Sequence, residues 1–378
     1  MIIWHAFCQM KRTISIKLKT TPEQEARFLA LREQFLSVCT GLVPIVIEKR
    51  CWNRVVLHNL AYSKMRAGSS LGSQMVCNAI FAVCKAYKAK TLSKDQDVPA
   101  IRFHKGKSIH FDKRTYTISE RSISLYTLEG RIKVPMAMGP FQQSLFSQGE
   151  PREAELICKK GIWYFNLVLE VPNPVRLGND LMLGIDIGEN VLAATSSGKL
   201  FGGGETRHER DKFLAKRRQL QSNGSQSARQ LLKKISGKEA RRIKHINHNV
   251  SKQIIKEAIN IQAGILVLED LTHIRQRIKG GKRMRSRLHR WPFRQLQAMI
   301  QYKAESAGLQ VLYIDPAYTS QTCSVCGLLG VRTGHHFKCS CGNQQHSDLN
   351  AGRNLCRFAS SIGSATCAVN RTHVAALS

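Results

Sequence analysis

Three short apolar segments in the second half of the chain constrain the fold most strongly. They span residues 182–188, 264–270 and 309–314, and helix-type patterns separate them. Apolar runs of about four to eight residues that alternate with helices are typical of buried strands in a parallel sheet. The sequence therefore predicts an α/β domain here, with a helix at 291–307 before the third strand.

The first part of the chain has a different pattern. Residues 11–19 alternate polar and apolar side chains as a half-buried strand does. A helix is predicted to begin at Thr21-Pro22-Glu23-Gln24, which can form a capping box. Helix-type spacing then continues to about residue 90, with breaks expected near Gly41 and Gly68.

Strand-type patterning follows from about residue 98. Segments 154–158 and 163–171 predict a hairpin around Lys159-Lys160-Gly161. Pro172 and Pro174 then indicate a domain boundary. The first half is thus expected to combine a small β-barrel or sheet with helices.

Acidic residues interrupt the apolar segments. Asp186 lies within the first segment and Glu269 in the second, while Asp348 begins a predicted helix. An ionised carboxylate among apolar residues is costly unless it is paired or binds a metal. Each acid alone is equally well explained by a strand that emerges into solvent, but three favour a shared site. Three converging carboxylates suit two Mg²⁺ ions about 4 Å apart, an arrangement that cleaves phosphodiesters.

Four of the twelve cysteines are clustered as Cys323-x2-Cys326 and Cys339-x-Cys341, with twelve residues between the two pairs. Two short loops that each supply two thiolates are typical of zinc ribbons. The single residue between the second pair departs from the usual two. The fourth ligand could therefore be Cys339, Cys341 or a nearby histidine, namely His335, His336 or His346. Four reduced thiols without a metal are the alternative.

The charge balance predicts a polyanionic partner. The 58 Lys and Arg residues exceed the 26 Asp and Glu residues and give a formal net charge of +32, while 43% apolar content argues against general disorder. No apolar run approaches the roughly 20 residues of a membrane span, so nucleic acid is favoured over a membrane. The opening residues lack a signal-peptide pattern, which predicts a reducing cytoplasmic location near the nucleoid.

Basic residues concentrate in two stretches, 207–244 and 275–290, and the second contains no acid and surrounds Gly280-Gly281. Ordinary solvated faces mix both signs of charge, although the first stretch could be a plain basic helix. Such stretches would follow phosphates without sequence specificity. The candidate nucleic-acid contacts are Arg207, Lys216, Arg217, Arg218, Arg275, Arg277, Lys282, Arg283, Arg285, Arg287 and Arg290.

Several motifs occur in a recognisable order. They are Gly184-Ile-Asp-Ile-Gly188, Leu268-Glu-Asp-Leu271, Asp315-Pro-Ala-Tyr-Thr-Ser-Gln-Thr-Cys-Ser-Val-Cys-Gly327 and Asp348-Leu-Asn-Ala-Gly-Arg-Asn354. This combination resembles the RuvC and zinc-finger signature of the TnpB family of transposon-encoded proteins. Weaker likeness at 74–88, 161–165 and 248–255 extends the resemblance over most of residues 11–358.

The resemblance implies an architecture of α/β, β-barrel and helical parts. An RNase H-like RuvC nuclease domain would comprise 181–319 and 346–358, with a structural zinc ribbon inserted at 320–345. A wedge β-barrel of residues 11–20 and 96–175 would precede it and contain an inserted helical recognition domain at 21–95. The small residues that follow position 358 predict a frayed tail at 359–378.

The resemblance also implies a function. Asp186, Glu269 and Asp348 would hold two catalytic Mg²⁺ ions, and Cys323, Cys326, Cys339 and Cys341 a structural Zn²⁺ ion. A guide RNA from a transposon or a CRISPR array would direct the cutting of target DNA beside a short adjacent motif, with a monomer favoured. The alternatives are a miniature type V CRISPR effector, a non-cleaving RNA-guided repressor, and a transposase or its accessory protein.

Overall fold

The computed structural model describes residues 10–93, 96–177, 179–188, 190–202, 204–271, 293–315 and 320–365. The chain divides into two compact units between Asn173 and Pro174. This division lies where Pro172 and Pro174 predict a boundary, since proline cannot continue the hydrogen bonding of the preceding strand.

The N-terminal unit contains an antiparallel sheet with the strand order β2-β6-β7-β1-β5-β4-β3. Along β1 the apolar side chains Ile14, Ile16 and Leu18 are buried and their neighbours are exposed, as the alternating sequence predicts. The predicted hairpin is confirmed as β6 and β7. The strands are β1 (Met10–Leu18), β2 (Ile109–Phe111), β3 (Tyr116–Ile118), β4 (Ser122–Thr127), β5 (Gly130–Ala137), β6 (Glu150–Lys159) and β7 (Ile162–Val171).

Aromatic contacts bring the two edges of this sheet close together. Tyr116 of edge strand β3 lies 5.2 Å from Phe165 of β7, ring centre to ring centre, and Phe111 of the other edge lies 6.0 Å from the same ring. The Tyr116 hydroxyl also donates a hydrogen bond to the carbonyl of Arg152 in β6 at 2.7 Å. The sheet is therefore nearly closed, in keeping with the barrel that the resemblance implies.

Helices cover this sheet, and the first begins as predicted. The Thr21 hydroxyl accepts from the amide of Gln24 at 3.3 Å, and the Gln24 side chain accepts from the amide of Thr21 at 3.2 Å, which confirms the capping box. Gly68 ends the second helix, as expected. The helices are α1 (Pro22–Lys49), α2 (Arg54–Ala67), α3 (Ser73–Lys88) and α4 (Pro140–Gln148).

The expected break near Gly41 is wrong, because α1 continues through Gly41 and Pro44. Phe35, Leu42 and Val46 are fully buried on either side of these residues. Glycine in a helix costs about 1 kcal/mol and proline about 3 kcal/mol. Burial of a continuous apolar face outweighs both costs.

Within the described residues, one helix, α1, has the length and apolar composition of a membrane-spanning helix, although the sequence analysis found no such run. Its side chains Phe28, Phe35 and Leu42 belong to the hydrophobic core of the N-terminal unit. A buried core helix meets the same criteria, so this similarity is weak evidence for a membrane.

The C-terminal unit contains a mixed sheet with the order β10-β9-β8-β11-β12, in which β8, β11 and β12 are parallel. These three strands are the predicted apolar segments. The elements are β8 (Met182–Asp186), β9 (Ala193–Thr195), β10 (Leu200–Phe201), α5 (Gly204–Asn223), α6 (Gln226–Asn260), β11 (Ile265–Glu269), α7 (Phe293–Ser306) and β12 (Gln310–Ile314).

Alternate residues of β11 pack on opposite faces of this sheet. Leu266 and Leu268 belong to a core with residues of α6 and α7. Ile265 and Val267 pack instead with Leu355 of the last helix, α8 (Ser347–Ala365). The sheet is thus covered on both faces, which is why its strands read as continuous apolar runs.

Three short strands separate β12 from α8. They are β13 (Val331–Thr333), β14 (His336–Lys338) and β15 (Gln344–His346), and they form an antiparallel sheet. The tail expected from residue 359 is wrong for residues 359–365, which are helical, because buried Ala359 packs beside Leu355 and Ile314. Residues 366–378 lie outside the described part of the chain.

Candidate active site and metal centre

The strand register places two of the predicted acids side by side. Leu268 of β11 lies opposite Ile185 of β8 in a parallel pair, so the next residues, Glu269 and Asp186, are neighbours at the carboxyl ends of the strands. Asp186 lies on the same face as Gly184, and Glu269 on the same face as Val267, since strand side chains alternate. Both are therefore on the face that α8 covers.

A close contact between two glycines fixes the third acid. A Cβ atom on Gly184 would lie 1.9 Å from the carbonyl oxygen of Gly352 in α8, so the helix touches the strand backbone directly. Asp348 precedes Gly352 by one helical turn and projects from the same side of α8. A Cβ atom on Gly188 would accordingly lie 3.9 Å from Asp348 Oδ2.

Asp348 is only 6% exposed and has several polar neighbours. Its Oδ1 accepts hydrogen bonds from Arg332 Nη2 and Ser347 Oγ, each at 3.1 Å. Its backbone amide donates to His346 Nδ1 at 3.2 Å, and this nitrogen lies 4.0 Å from Asp348 Oδ2. Sequence reasoning missed Arg332, which comes from β13, because no local pattern links it to a carboxylate sixteen residues later.

The acids influence one another electrostatically. Burial raises the pKa of Asp186 well above its usual range, and the charges of Glu269 and Asp348 raise it further. The Arg332 charge and the backbone amide of Ile187 act in the opposite direction. A cation would relieve this crowding of negative charge, and carboxylate oxygens are the donors that Mg²⁺ prefers.

The three carboxylates share one edge of the sheet without closing around a single point. Among the described residues, two groups of potential metal ligands have all their ligand atoms within 4.8 Å of one another, and the three carboxylates do not form either group. One of those groups is the cysteine cluster, and the other combines His335, His346 and Asp348.

The cysteine cluster brings all four predicted thiols together. Cys323 Sγ lies 3.7 Å from Cys341 Sγ, and Cys326 Sγ lies 3.5 Å from Cys339 Sγ. Four sulfurs about 2.3 Å from a tetrahedral zinc ion would be about 3.8 Å apart, so the cluster fits zinc. Although burial opposes ionisation, hydrogen bonds from backbone amides and from Asn343 lower the pKa of Cys323 to about 6. The thiolate form of Cys323 is thereby favoured. At Cys341, a backbone hydrogen bond at Asn343 acts in the same direction, but hydrogen bonds with the neighbouring thiols and burial outweigh it and raise the pKa to about 12.

Amide side chains of α8 attach this cysteine segment to the helix that carries Asp348. The fully buried Asn350 donates to the carbonyl of Thr322 at 2.7 Å and accepts from the amide of Ser324 at 2.9 Å. Asn354 donates to the same Thr322 carbonyl at 2.6 Å. Sequence reasoning assigned no role to these asparagines, although their spacing of four residues places both on one side of the helix.

The predicted nucleic-acid contacts lie in different surroundings. Lys216 and Arg218 are exposed on α5, whereas Arg217 forms an ion pair with Glu239 of α6 at 2.5 Å and so joins the two helices. Arg207 lies in α5, but its side chain is outside the described residues. The candidates between 275 and 290 also lie outside the described residues; they are Arg275, Arg277, Lys282, Arg283, Arg285, Arg287 and Arg290.

Comparison with known proteins supports this arrangement of motifs. A family described as "Probable transposase" matches residues 166–275, and one described as "Cas12f1-like, TNB domain" matches residues 293–355. A TnpB-like protein of Methanocaldococcus jannaschii is 38% identical over 160 residues, which cover 41% of this chain and 57% of the relative. The resemblance to the TnpB family is confirmed.

A second relative of this chain is named as a CRISPR-associated endodeoxyribonuclease Cas12f1, from Sulfoacidibacillus thermotolerans. It is 34% identical over 218 residues, which cover 52% of this chain and 50% of the relative. The chain thus spans about half the length of the curated relatives that it matches. A solved structure described as a Cas12f1-sgRNA-target DNA complex is also similar. The match covers 92% of this chain and 99% of the solved chain, with a TM-score of 0.63 and 15% sequence identity. The chain therefore shares the fold of that structure.

Proposed function

We propose that this TnpB relative is an RNA-guided DNA endonuclease that cuts DNA beside a short adjacent motif. The observation that carries the proposal is the convergence of Asp186, Glu269 and Asp348 at one edge of the C-terminal sheet. The strand order β10-β9-β8-β11-β12, with helices on both faces, supports an RNase H-like RuvC domain. The insertion of the cysteine segment between β12 and α8 agrees with a zinc ribbon.

The proposed chemistry is two-metal phosphodiester hydrolysis. Two bound Mg²⁺ ions would supply an activated water and stabilise the departing 3′ oxygen. The negative charges of Glu269 and Asp348 both raise the pKa of Asp186, so the three carboxylates are close enough to interact. These three carboxylates would hold the ions. Arg332 places a positive charge beside Asp348 and favours the ionised form of the site.

Guide RNA and target DNA are the proposed partners. The formal charge of +32 supports a polyanionic partner, and exposed Lys216 and Arg218 on α5 supply phosphate-binding groups. The solved structure with the matching fold contains a guide RNA and target DNA. Base pairing would choose the target, while the protein reads duplex shape and the flanking motif. The monomeric state and the cytoplasmic, nucleoid-associated location are part of the same proposal.

The test begins with co-expression of the chain and its native flanking DNA, followed by sequencing of the RNA that copurifies. The complex is then incubated with Mg²⁺ and a matching DNA library whose flanking positions are randomised. We expect the wild-type protein to retain a defined RNA and to cleave DNA beside one short motif. The Asp186→Ala variant should retain the same RNA but should not cleave.

Asp180→Ala is the matched control, because Asp180 is an exposed acid at the opposite end of β8 and should leave cleavage unchanged. Bound RNA with tight target binding but no cutting would favour a repressor. Absence of any specific RNA would reject both forms of the proposal.

A miniature type V CRISPR effector is the second candidate function. The match of residues 293–355 to a Cas12f1-like domain favours it, and the same site residues would serve it. The source of the bound RNA distinguishes the two candidates. A repeat-derived guide would indicate a CRISPR effector, whereas RNA from a transposon end would indicate a TnpB-type nuclease.

A further inference from the structure

A second group of metal-ligating side chains lies beside Asp348. His335, His346 and Asp348 each offer one ligand atom, and these atoms all lie within 4.8 Å of one another. The aspartate is buried and both histidines are half-buried. None of the four clustered cysteines takes part, so this group is chemically separate from the zinc ribbon.

Backbone hydrogen bonds hold the two histidines together. The amide of Ser347 donates to the carbonyl of His335 at 2.8 Å, where β15 passes into α8. The imidazole rings lie nearly parallel, with centres 5.1 Å apart and an angle of 22° between their planes. The cluster is therefore defined by the ribbon's own fold and does not depend on extended, freely rotating side chains.

The polar atoms of the group are only partly satisfied. The buried His335 Nδ1 has no hydrogen-bond partner within the described ranges. Asp348 Oδ1 already accepts from Arg332 and Ser347, whereas Oδ2 lies 4.0 Å from His346 Nδ1. His346 Nδ1 accepts from the Asp348 amide at 3.2 Å, and a metal bound through this nitrogen would replace that hydrogen bond. A buried nitrogen lone pair and a carboxylate oxygen without a close donor are the groups that a cation would satisfy.

The donor set selects the kind of cation. Mg²⁺ prefers oxygen ligands in octahedral geometry, whereas imidazoles suit zinc and its transition-metal neighbours. Two imidazoles and one carboxylate can supply three positions of a tetrahedral site and leave the fourth open to water. We propose that His335, His346 and Asp348 form a second transition-metal site, which takes Zn²⁺-class ions and shares Asp348 with the acidic site.

The sharing of Asp348 has a functional consequence, which rests on the proposed nuclease activity. An ion held by His335 and His346 would compete with the Mg²⁺ ions for the Asp348 carboxylate. Zn²⁺ in excess of the cysteine-bound ion would therefore inhibit cleavage that Mg²⁺ supports. The site would act as an inhibitory site whose occupancy depends on the concentration of free zinc.

Metal binding tests the site without reference to cleavage. The full chain, loaded with one zinc ion in its cysteine cluster, is titrated with Co²⁺ alone and followed by visible absorption. Four-coordinate ligation by imidazole and carboxylate gives intense d–d bands without the thiolate-to-cobalt charge-transfer band of a cysteine site, whereas Co²⁺ held octahedrally by the carboxylates of the acidic site gives only weak bands. We expect one such Co²⁺ ion per wild-type chain.

Two variants and a control assign the ligands. His335→Gln and His346→Asn should each bind Co²⁺ at least about tenfold more weakly, since even indirect partners of metal ligands alter affinity by that factor. The asparagine side chain in His346→Asn keeps an oxygen that can still accept from the Asp348 amide, which limits structural damage. His336→Gln is the control, because exposed His336 lies next to His335 but outside the group. Retention of cysteine-bound zinc shows that a variant is folded.

The proposal is overturned if Co²⁺ enters only the cysteine cluster, or if both folded variants bind it as tightly as the wild type. Zinc inhibition of cleavage, measured against each protein's own rate without added zinc, should weaken in His335→Gln. If the Co²⁺ site is present but no cleavage occurs, the nuclease proposal fails while the metal site stands. If cleavage occurs without the Co²⁺ site, only the metal-site inference fails.

Discussion

Replacement of Gly184 by alanine should disrupt the acidic site without altering any acid. The new Cβ atom would lie 1.9 Å from the backbone carbonyl oxygen of Gly352 and 3.0 Å from Cys356 Sγ. Neither the strand backbone nor the helix backbone can rotate away as a flexible side chain can. Strand β8 and helix α8 must therefore separate.

The size of the effect follows from that distance. Real Cβ atoms essentially never approach another atom closer than 3.0 Å, so the gap must widen by at least 1.1 Å from its value of 1.9 Å. Overpacking of this kind costs about 3 kcal/mol, which lowers the Tm of a unit of this size by roughly 6–12 °C. Because Asp348 moves with α8, a displacement of about 1 Å should reduce the cleavage rate about 100-fold.

The assay compares Gly184→Ala with Gly237→Ala. Gly237 lies within α6, where an added Cβ would meet only the flexible end of Arg241 at 3.4 Å, so this control should be neutral or slightly stabilising. Tm is measured by calorimetry and cleavage under single-turnover conditions with saturating Mg²⁺. Wild-type Tm and cleavage in Gly184→Ala would refute the role of the glycine contact in placing Asp348.

Three further predictions concern the same unit. Asp186→Asn should raise the Tm at pH 7 in Mg²⁺-free buffer. The folded state raises the pKa of this carboxyl above its ordinary 3.8, so stability is lost as the pH rises from the unfolded-state pKa to the folded-state pKa. An unchanged Tm would contradict the proposed repulsion between the three carboxylates. Asn350→Ala leaves the Thr322 carbonyl and the Ser324 amide without this partner, so urea denaturation should show a loss of about 1–3 kcal/mol. Cys341→Ser should reduce bound zinc below one ion per chain by metal analysis, and full retention would exclude Cys341 as a ligand.

The strands and their acids were predictable because they depend on local sequence. The three apolar segments became β8, β11 and β12, and the positions of Asp186 and Glu269 at the strand ends follow from parallel pairing in register. The capping box at Thr21 was predictable for the same reason, since its partner is three residues away.

Features that depend on distant contacts could not be predicted. Gly184 and Gly352 touch across 168 positions of sequence, and neither glycine carries a local signal of that contact. The continuation of α1 through Gly41 and Pro44 likewise depends on tertiary burial that overrides helix propensity. The pairing of Arg217 with Glu239 required knowledge that α5 and α6 pack together.

The cysteine segment and the acidic site are parts of one structure, although they share no ligand. Arg332 of β13 and His346 of β15 both contact Asp348, while Asn350 and Asn354 bind the segment back to α8. A segment this short cannot bury a core large enough to hold these contacts by itself. Zinc in the cysteine cluster would stabilise the segment and, through it, the position of the Asp348 carboxylate. The structural metal would therefore set the geometry in which the catalytic metals bind.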